Sequence, residues 1–319
     1  MSAALLSVEG VSVDLPTPRG ALRAVDNVDL SLAPGRTLGV VGESGCGKTM
    51  LSRAILQLLP KRARLGGRIL FDGRDLATLS PEALRRLRGP ELAVVFQDPM
   101  TSLNPVFTIE TQLIDAQRAK FGTLGRAALR ERARRMLDKV GIPEADDRLA
   151  DYPHQFSGGM RQRIMIAMAL LIEPRLLIAD EATTALDVTI EAQIVAALDR
   201  LRADFRGSIL FISHSLGLVS ELCDDVVVMY AGHVVESGPV DRVFLAPAHP
   251  YTRALLACEM NEGDGGRRFR SIGGEIPNLI ERPGGCVFAP RCGVAIERCR
   301  QAPPLAEHGA DHRAACWLA

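Results

Sequence analysis

The stretch LGVVGESGCGKTM constrains the fold of this chain more than any other part of its sequence. Its apolar beginning predicts a buried strand over Thr37–Val41, and the helical sequence TMLSRAILQLL follows the glycine-rich turn. Glycines let the backbone curl so that successive N–H groups point at one anion, and the positive end of the following helix faces the same point. The pattern predicts a phosphate-binding loop formed by Gly42, Glu43, Ser44, Gly45, Cys46, Gly47, Lys48 and Thr49.

Two side chains of this loop carry phosphate chemistry. Lys48 is placed to neutralise the β and γ phosphates of a nucleoside triphosphate, and the Thr49 hydroxyl is placed to bind Mg²⁺. We expect Cys46 to be a small packing residue and not a nucleophile. A glycine-rich turn without a ligand is disfavoured by the strand before it and the helix after it. The loop alone leaves kinases, small GTPases, helicases and transporters open.

Composition narrows the class of protein further. The 319 residues contain 38 basic and 38 acidic side chains, and only 4% are aromatic, which disfavours both a phosphate-neutralising surface and a base-stacking platform for nucleic acid. No signal peptide is evident in MSAALLSVEGVSV. The most apolar stretch is interrupted by Glu173, Pro174 and Arg175, too soon for a membrane span. We therefore expect a cytosolic protein that reaches a membrane only through a partner.

Alternating strand and helix patterns predict an α/β fold with a mostly parallel sheet. The predicted strands are Thr37–Val41, Arg68–Phe71, Leu92–Phe96, Leu176–Asp180, Ser208–Ile212 and Val226–Tyr230. Between Met100 and Phe156 arginine-rich helical patterns replace them, which predicts an inserted helical subdomain. After about residue 245 the sequence becomes rich in proline and is typical of a loop-rich tail.

Acidic and glycine-rich segments supply further candidate site residues. Asp180 ends an apolar strand, where a ligand site of a parallel sheet is expected, and can reach Mg²⁺. Glu181 follows it and can orient and deprotonate an attacking water. Ser157, Gly158 and Gly159 open a helix and form a second candidate anion site, with ordinary helix capping as the alternative.

Four ordered motifs identify a family resemblance. GESGCGKT, FSGGMRQR, LLIADEATTALD and FISHS follow one another with the order and spacing of ATP-binding-cassette (ABC) ATPases, over roughly residues 5–245. The resemblance implies a P-loop nucleotide-binding domain over residues 1–245, with a RecA-like core and a helical subdomain at about 100–160, and a C-terminal extension over 246–319. It also implies a head-to-tail pair of cassettes, in which Ser157, Gly158 and Gly159 of one chain contact the γ-phosphate held by Lys48 of the other.

The same resemblance assigns four more residues. Gln97 in VVFQDPMTSLNP matches the glutamine that senses Mg²⁺ and γ-phosphate, and Asp187 in TTALD matches the acidic residue that crosses the dimer interface. His214 in LFISHS matches the switch histidine that contacts the γ-phosphate. Leu15 stands where an aromatic residue usually stacks on adenine, so the resemblance implies weaker stacking here.

Three further stretches point to a subfamily. VFQDPMTSLNPVFTI, EATTALDVTIEAQI and HPYTRALL are similar to the ATPase subunits of oligopeptide and dipeptide importers. This implies a second ABC ATPase, a paralogue in preference to another copy, two membrane permease subunits, and indirectly an extracytoplasmic peptide-binding protein, all served from the cytoplasmic face of the membrane. Nickel chelates or sugars remain alternative solutes, and a non-transport ATPase of DNA repair or translation remains an alternative class.

Four of the seven cysteines lie in the last forty residues, at Cys286, Cys292, Cys299 and Cys316. Thiolates suit either zinc or an iron–sulfur cluster, and the tight Cys pairs that structural zinc sites prefer are absent. The subfamily resemblance implies a [4Fe–4S] cluster at these residues, while zinc and unliganded structural cysteines stay open. Cys223 and Cys258 lie in helical patterns and are expected to pack in the core.

Overall fold

A computed structural model describes residues 4–96, 102–181, 205–260 and 272–319. Its strands, numbered along the chain, are β1 (Leu6–Thr17), β2 (Gly20–Leu32), β3 (Thr37–Val41), β4 (Arg64–Phe71), β5 (Arg74–Asp75), β6 (Leu92–Val95), β7 (Leu176–Asp180), β8 (Ser208–Ile212), β9 (Asp225–Tyr230), β10 (His233–Pro239), β11 (Ala306–Gly309) and β12 (His312–Ala314).

Its α-helices are α1 (Lys48–Ile55), α2 (Pro81–Leu87), α3 (Ile109–Phe121), α4 (Arg126–Lys139), α5 (Ala145–Arg148), α6 (Gly158–Leu171), α7 (Leu216–Leu222), α8 (Val240–Leu245) and α9 (Pro250–Met260). Short 3₁₀ helices lie at Leu76–Thr78, Pro153–Gln155, Ala289–Arg291 and Glu297–Arg300. None of the helices in the described ranges combines the length and apolar character that crossing a membrane requires.

The chain divides into two compact units, one made of Met1–Thr78 and Phe211–Ala319 and the other of Leu79–Leu210. The first unit contains an antiparallel sheet in the order β2-β1-β4-β5. In its second sheet β3 pairs with β9 in parallel, and β10, β12 and β11 continue on the far side of β9. The phosphate loop and the C-terminal extension therefore belong to the same unit.

Strand β3 is apolar throughout, as a strand covered on both faces requires. All five residues of β3 are buried, as expected for a strand of a parallel sheet. A Cβ atom at Gly39 would lie 2.6 Å from Val219 Cγ1, so glycine allows α7 to approach β3 closely. Strand and helix thus hold the start of the phosphate loop on a rigid base.

The second unit combines the parallel pair β6–β7, in which Leu92 lies opposite Leu176, with the helices α2 to α6. Helix α4 buries Leu129, Ala133 and Leu137, which recur every four residues on one face. Gln117 of α3 is fully buried, and its side-chain amide donates to the carbonyl oxygens of Leu113 and Leu129 at 3.1 and 2.9 Å. Helices α3, α4 and α5 lie between residues 100 and 156, where the sequence predicts helical patterns in place of strands.

The predicted strands are all present, within four residues at either end. Strands β1 and β2 were not predicted, because register shifts after Val8 and Val11 break their alternating pattern. The tail expected to be loop-rich carries helix α9 and the hairpin β11–β12, and the hairpin is held by its pairing with β10. Cys223 is buried as expected, whereas Cys258 is only half-buried and lies outside the core.

Candidate functional site

The phosphate loop connects β3 to α1 and has a preformed shape. Lys48 is 4% exposed, and its ammonium group donates to the carbonyl oxygens of Gly42 and Glu43 at 2.7 and 3.2 Å. Ser44 and Gly45 are exposed at the tip of the loop, and Thr49 is half-buried in the first turn of α1. Because the first N–H groups of a helix have no partner within it, this end of α1 suits an anion.

Two glycines of the loop are required by its backbone. Gly42 has φ +148°, and a Cβ atom there would lie 2.1 Å from the carbonyl oxygen of Met229. Gly47 has φ +107°, and its Cβ atom would lie 2.4 Å from the carbonyl oxygen of Ala24. Real Cβ atoms do not approach so closely, so any other residue would distort the loop.

Within the phosphate loop, the Cys46 side chain is fully buried. Burial raises the pKa of its thiol, which keeps the sulfur protonated and unreactive. Its carbonyl oxygen accepts a hydrogen bond from the Gly232 N–H at 2.9 Å. These contacts are those of a packing residue.

Glu43 is held from the C-terminal extension. The Arg291 guanidinium donates to both Glu43 carboxylate oxygens, with Nη1–Oε2 at 2.7 Å and Nη2–Oε1 at 3.0 Å. The Glu43 N–H donates to the Tyr251 hydroxyl at 2.9 Å. Burial raises the pKa of Tyr251, so the hydroxyl stays neutral. The loop is thereby anchored to the turn and the tail that follow the sheet.

The turn that presents Tyr251 is organised by a buried carboxylate. Glu236 of β10 accepts hydrogen bonds from the N–H groups of Ala248 and His249 at 2.7 and 2.9 Å, and lies 2.7 Å from Nε2 of His312 in β12. His249 Nδ1 accepts from the Tyr251 N–H at 3.0 Å, and burial lowers the pKa of this imidazole to about 4. The neutral ring and the buried carboxylate together fix residues 246–249 as the turn that leads into α9, whose first residues are Pro250 and Tyr251.

His214 lies in the loop between β8 and α7, and its side chain is exposed. The preceding residue, Ser213, donates its N–H to the carbonyl oxygen of Val40 at 3.1 Å, so this loop lies beside the end of β3. Glu259 of α9 accepts hydrogen bonds from the N–H groups of Leu216 and Gly217 at 2.8 and 2.9 Å. A residue of helix α9 therefore caps the helix that follows His214.

The second unit presents its candidate residues at two places. Asp180 is 5% exposed at the end of β7. Glu181 follows it with φ +48°, a left-handed conformation that seven other non-glycine residues of the described ranges also adopt. Ser157 caps helix α6, its hydroxyl accepting from the Met160 N–H at 3.3 Å, while Ser157 and Gly158 are exposed.

The structure gives little information about three other predicted site residues. Gln97 and Asp187 lie outside the described residues. Leu15 lies in β1 opposite Leu22 and is half-buried, so an aliphatic side chain stands at the position expected to meet adenine.

The four tail cysteines converge. Cys286, Cys292, Cys299 and Cys316 line one small pocket together with Phe288 and Trp317. The Leu318 N–H donates to the Cys316 sulfur at 3.4 Å, and burial raises the pKa of Cys286. Four thiols around one pocket suit thiolate ligation of a metal in the kind of donor atom. As placed, no group of three or more His, Cys, Asp or Glu side chains within the described ranges forms a metal site.

Arg291, Tyr251 and Glu259 were not among the expected site residues. Tyr251 stands in the stretch HPYTRALL, and Arg291 lies between Cys286 and Cys292 of the tail. Their contacts with the phosphate loop and the His214 loop join distant parts of the chain, and no local pattern marks such contacts.

Comparison with family models gives two matches. A model described as ABC transporter matches residues 25–184. A model of the oligopeptide/dipeptide transporter C-terminal region matches residues 235–299. The second match covers the HPY sequence and three of the four tail cysteines.

Curated relatives match almost the whole chain. A protein of Brucella abortus (strain 2308) named as a peptide import ATP-binding protein is 49% identical over 305 residues, which is 95% of this chain and 92% of the relative. A protein of the same description from Brucella melitensis is 48% identical over the same coverage.

Solved structures of similar fold cover the cassette. The structure of cbiO1 from Clostridium perfringens, part of the ABC transporter complex cbiONQ, matches with a TM-score of 0.64 and 26% identity, covering 76% of this chain and 91% of that one. The dimeric structure of the ABC transporter cassette MJ0796 matches with a TM-score of 0.65 and 24% identity, covering 74% of this chain and 98% of that one.

Proposed function

This chain belongs to the ABC transporter family, as an ATP-binding subunit of the peptide import type, and we propose that it drives peptide uptake through membrane permease subunits by hydrolysing ATP in a head-to-tail cassette dimer. The observation that carries the ATPase role is the preformed phosphate loop, with Lys48 buried against its own loop carbonyls. Identity of 49% over 95% of the chain to a peptide import protein supports the solute class.

Within the first unit the loop would bind the triphosphate. The loop N–H groups and the end of α1 receive the phosphate oxygens, and Lys48 exchanges its carbonyl partners for the β and γ phosphates. The His214 side chain, exposed beside the end of β3, contacts the γ-phosphate. Leu15 packs on the adenine with less stacking energy than an aromatic ring would give.

Hydrolysis would require residues that hold Mg²⁺ and a residue that acts as the general base. Thr49, Gln97 and Asp180 are the residues that would hold Mg²⁺, which neutralises charge on the phosphates when it is bound. Glu181 orients the attacking water and takes its proton. The position of Glu181 directly after the buried strand β7 supports this role, because ligands lie at the carboxyl ends of parallel strands.

The dimer would complete each site from the opposite chain. Ser157, Gly158 and Gly159 contact the γ-phosphate held by Lys48 of the partner cassette, and Asp187 crosses the interface. Exposure of Ser157 and Gly158 at the start of α6 leaves them accessible to such a partner. We propose that this partner is a paralogous ATPase, and that the pair works at the cytoplasmic face of the membrane below two permease subunits fed by an extracytoplasmic peptide-binding protein.

The substitution Glu181→Gln tests the catalytic assignment. The variant should bind ATP, accumulate as a nucleotide-bound dimer in size-exclusion chromatography, and lose nearly all turnover, because it keeps the shape of the side chain but removes the base. Glu82→Gln, an exposed acid on α2, serves as the control and should hydrolyse ATP normally. Hydrolysis at a near-normal rate in Glu181→Gln would refute the assignment.

Co-purification tests the transport role. Tagged protein from detergent-solubilised membranes should bring down integral permease subunits. A complex with nucleic acid, or turnover stimulated by nucleic acid, would favour the non-transport alternative. Permeases specific for nickel chelates or sugars would keep the ATPase role and change the solute.

For the extension we propose that Cys286, Cys292, Cys299 and Cys316 hold a [4Fe–4S] cluster with a structural role. Their position around one pocket, beside buried Phe288, supports the proposal. When bound, a metal group supplies cross-links that a short segment with little core lacks. Protein purified without oxygen should be brown and contain about four iron atoms per chain, as the proposed cluster type requires. Colourless protein containing zinc, or no metal, would contradict it.

A further inference from the structure

We propose that Arg291 of the C-terminal extension is a positioning residue for nucleotide binding, because it neutralises and immobilises the Glu43 carboxylate inside the phosphate loop. The inference rests on the proposed ATPase function and adds a residue that none of the four family motifs contains. The affinity of the phosphate loop for a nucleoside triphosphate would then depend on Arg291 of the C-terminal extension.

The Arg291 guanidinium uses all of its donors. Besides the two bonds to Glu43, Nη1 donates to the Tyr230 hydroxyl at 3.2 Å, Nη2 to the carbonyl oxygen of Ile272 at 2.9 Å, and Nε to the carbonyl oxygen of Gly273 at 2.9 Å. A guanidinium has five N–H groups in a fixed planar arrangement, and each has an acceptor here. Lysine, with three donors on a flexible stem, cannot reproduce this set of contacts.

The ion pair is shielded from solvent. The Arg291 side chain is 3% exposed and that of Glu43 is 25% exposed. The guanidinium carbon lies 5.6 Å from the centre of the Tyr230 ring, which packs against Phe288 and Tyr251. Its hydrogen bond with Glu43 raises the pKa of Arg291 above its ordinary value. Screening by salt is weak for such a pair, in contrast to the surface pairs elsewhere in the chain.

All the polar groups of Glu43 are engaged at once. Its N–H is held by Tyr251, its carbonyl oxygen by Lys48, and its carboxylate by Arg291. Lys48 and Arg291 thus approach the same residue, one from the loop and one from the tail. Loss of Arg291 would release the side chain and disturb the backbone that presents the Lys48 ammonium.

Charge gives Arg291 a second effect. Glu43 places a negative carboxylate in a loop whose ligand carries several negative charges. With Arg291 present the pair is neutral. Without it an unpaired and largely buried carboxylate would repel the phosphates, and the repulsion would grow with the charge of the nucleotide. A residue that only stabilised the tail would show no such dependence on ligand charge.

The test is a double-mutant cycle on the full-length protein, comparing the wild type, Arg291→Met, Glu43→Gln and the double variant, with ATP and ADP titrated calorimetrically in the presence of Mg²⁺. Arg291→Met should raise the Kd for ATP by about tenfold, which corresponds to about 1.4 kcal/mol of binding free energy, and should raise the Kd for ADP less. The double variant Arg291→Met/Glu43→Gln should recover most of the affinity, because it no longer carries the unpaired carboxylate. Arg291→Lys, which keeps the charge but not the fork, should lie between wild type and Arg291→Met.

Arg300→Met is the matched control, an exposed arginine of the same extension whose ion pair with Glu297 is long at 3.7 Å. It should bind ATP like the wild type. If Arg291→Met is unstable, the comparison of Arg291→Lys with the wild type carries the test. If the wild-type protein binds ATP and Arg291→Met binds it with the same affinity, the inference is overturned. The inference is also overturned if the double variant recovers none of the lost affinity. The proposed function stands in both cases. A wild-type protein that does not bind ATP overturns the proposed function as well.

Discussion

Glu236→Gln is the substitution whose effect follows most directly from the contacts described above. The Glu236 carboxylate is completely buried and has three donors around it, the N–H groups of Ala248 and His249 and the Nε2 of His312. Oε1 accepts from the Ala248 N–H and lies beside His312 Nε2, and Oε2 accepts from the His249 N–H. A glutamine of the same shape keeps one acceptor oxygen and turns an NH₂ group towards a donor.

The expected cost is about 3 kcal/mol of unfolding free energy for this region, from one lost charge-assisted hydrogen bond of about 1.5–3 kcal/mol and an unsatisfied buried N–H of about 1–3 kcal/mol, partly offset by relaxation. That is a large share of the roughly 5–15 kcal/mol by which domains are stable. Because 1.36 kcal/mol corresponds to a factor of ten, local opening should increase about 100-fold.

Hydrogen exchange of peptides that cover residues 246–253 measures this opening directly, and urea denaturation followed by fluorescence gives the global change. Glu297→Gln is the control, because its carboxylate is 86% exposed and its ion pair should contribute almost nothing. A loss below about 0.5 kcal/mol in Glu236→Gln, with unchanged exchange of the Ala248 and His249 amides, would show that the carboxylate does not hold the turn.

Two further substitutions probe the loop and the turn. Gly47→Ala should lower the free energy of unfolding several-fold more than Gly35→Ala, because Gly35 also has a positive φ, of +73°, but has open space around it. Only Gly47→Ala should abolish ATP binding. Equal losses for the two variants in urea denaturation and ATP titration would argue against the contact with Ala24. Burial lowers the pKa of His249 to about 4, so below pH 6.5 this histidine binds a proton in the unfolded chain but not in the folded protein. The free energy of unfolding should therefore fall by up to about 3 kcal/mol between pH 6.5 and 4. His249→Asn should flatten this slope in denaturation measured across that pH range, and an unaltered slope would exclude His249 as its source.

The parts of the fold that sequence predicts well are those whose cause is local. Strand β3, the glycine-rich turn and helix α1 lie next to one another in sequence, and each carries its own pattern of buried apolar residues or glycines. The same holds for β7, an unbroken apolar run that ends in Asp180. Burial on both faces of a parallel sheet leaves this pattern in the sequence itself.

Contacts between distant segments could not be predicted in this way. Glu43 and Arg291 are 248 positions apart, and nothing near either residue indicates its partner. Nor does the short run of serine and leucine around Leu216 indicate that Glu259 caps it, 43 positions later. In β1 the alternation of buried residues is real, but the register shift between Val8 and Val11 hides it from a period-two search.

The hydrogen bonds that Tyr251 and Arg291 make with Glu43 limit how such proteins can be altered. A protein shortened after β10 would keep all four nucleotide motifs intact, yet it would lose Tyr251, Glu259 and Arg291 together. Grafting the last seventy or so residues from a relative is therefore not a neutral exchange of an appendage. Such a chimaera would inherit its nucleotide affinity from the donor of the tail, and residues 43 and 291 would have to be transplanted as a pair.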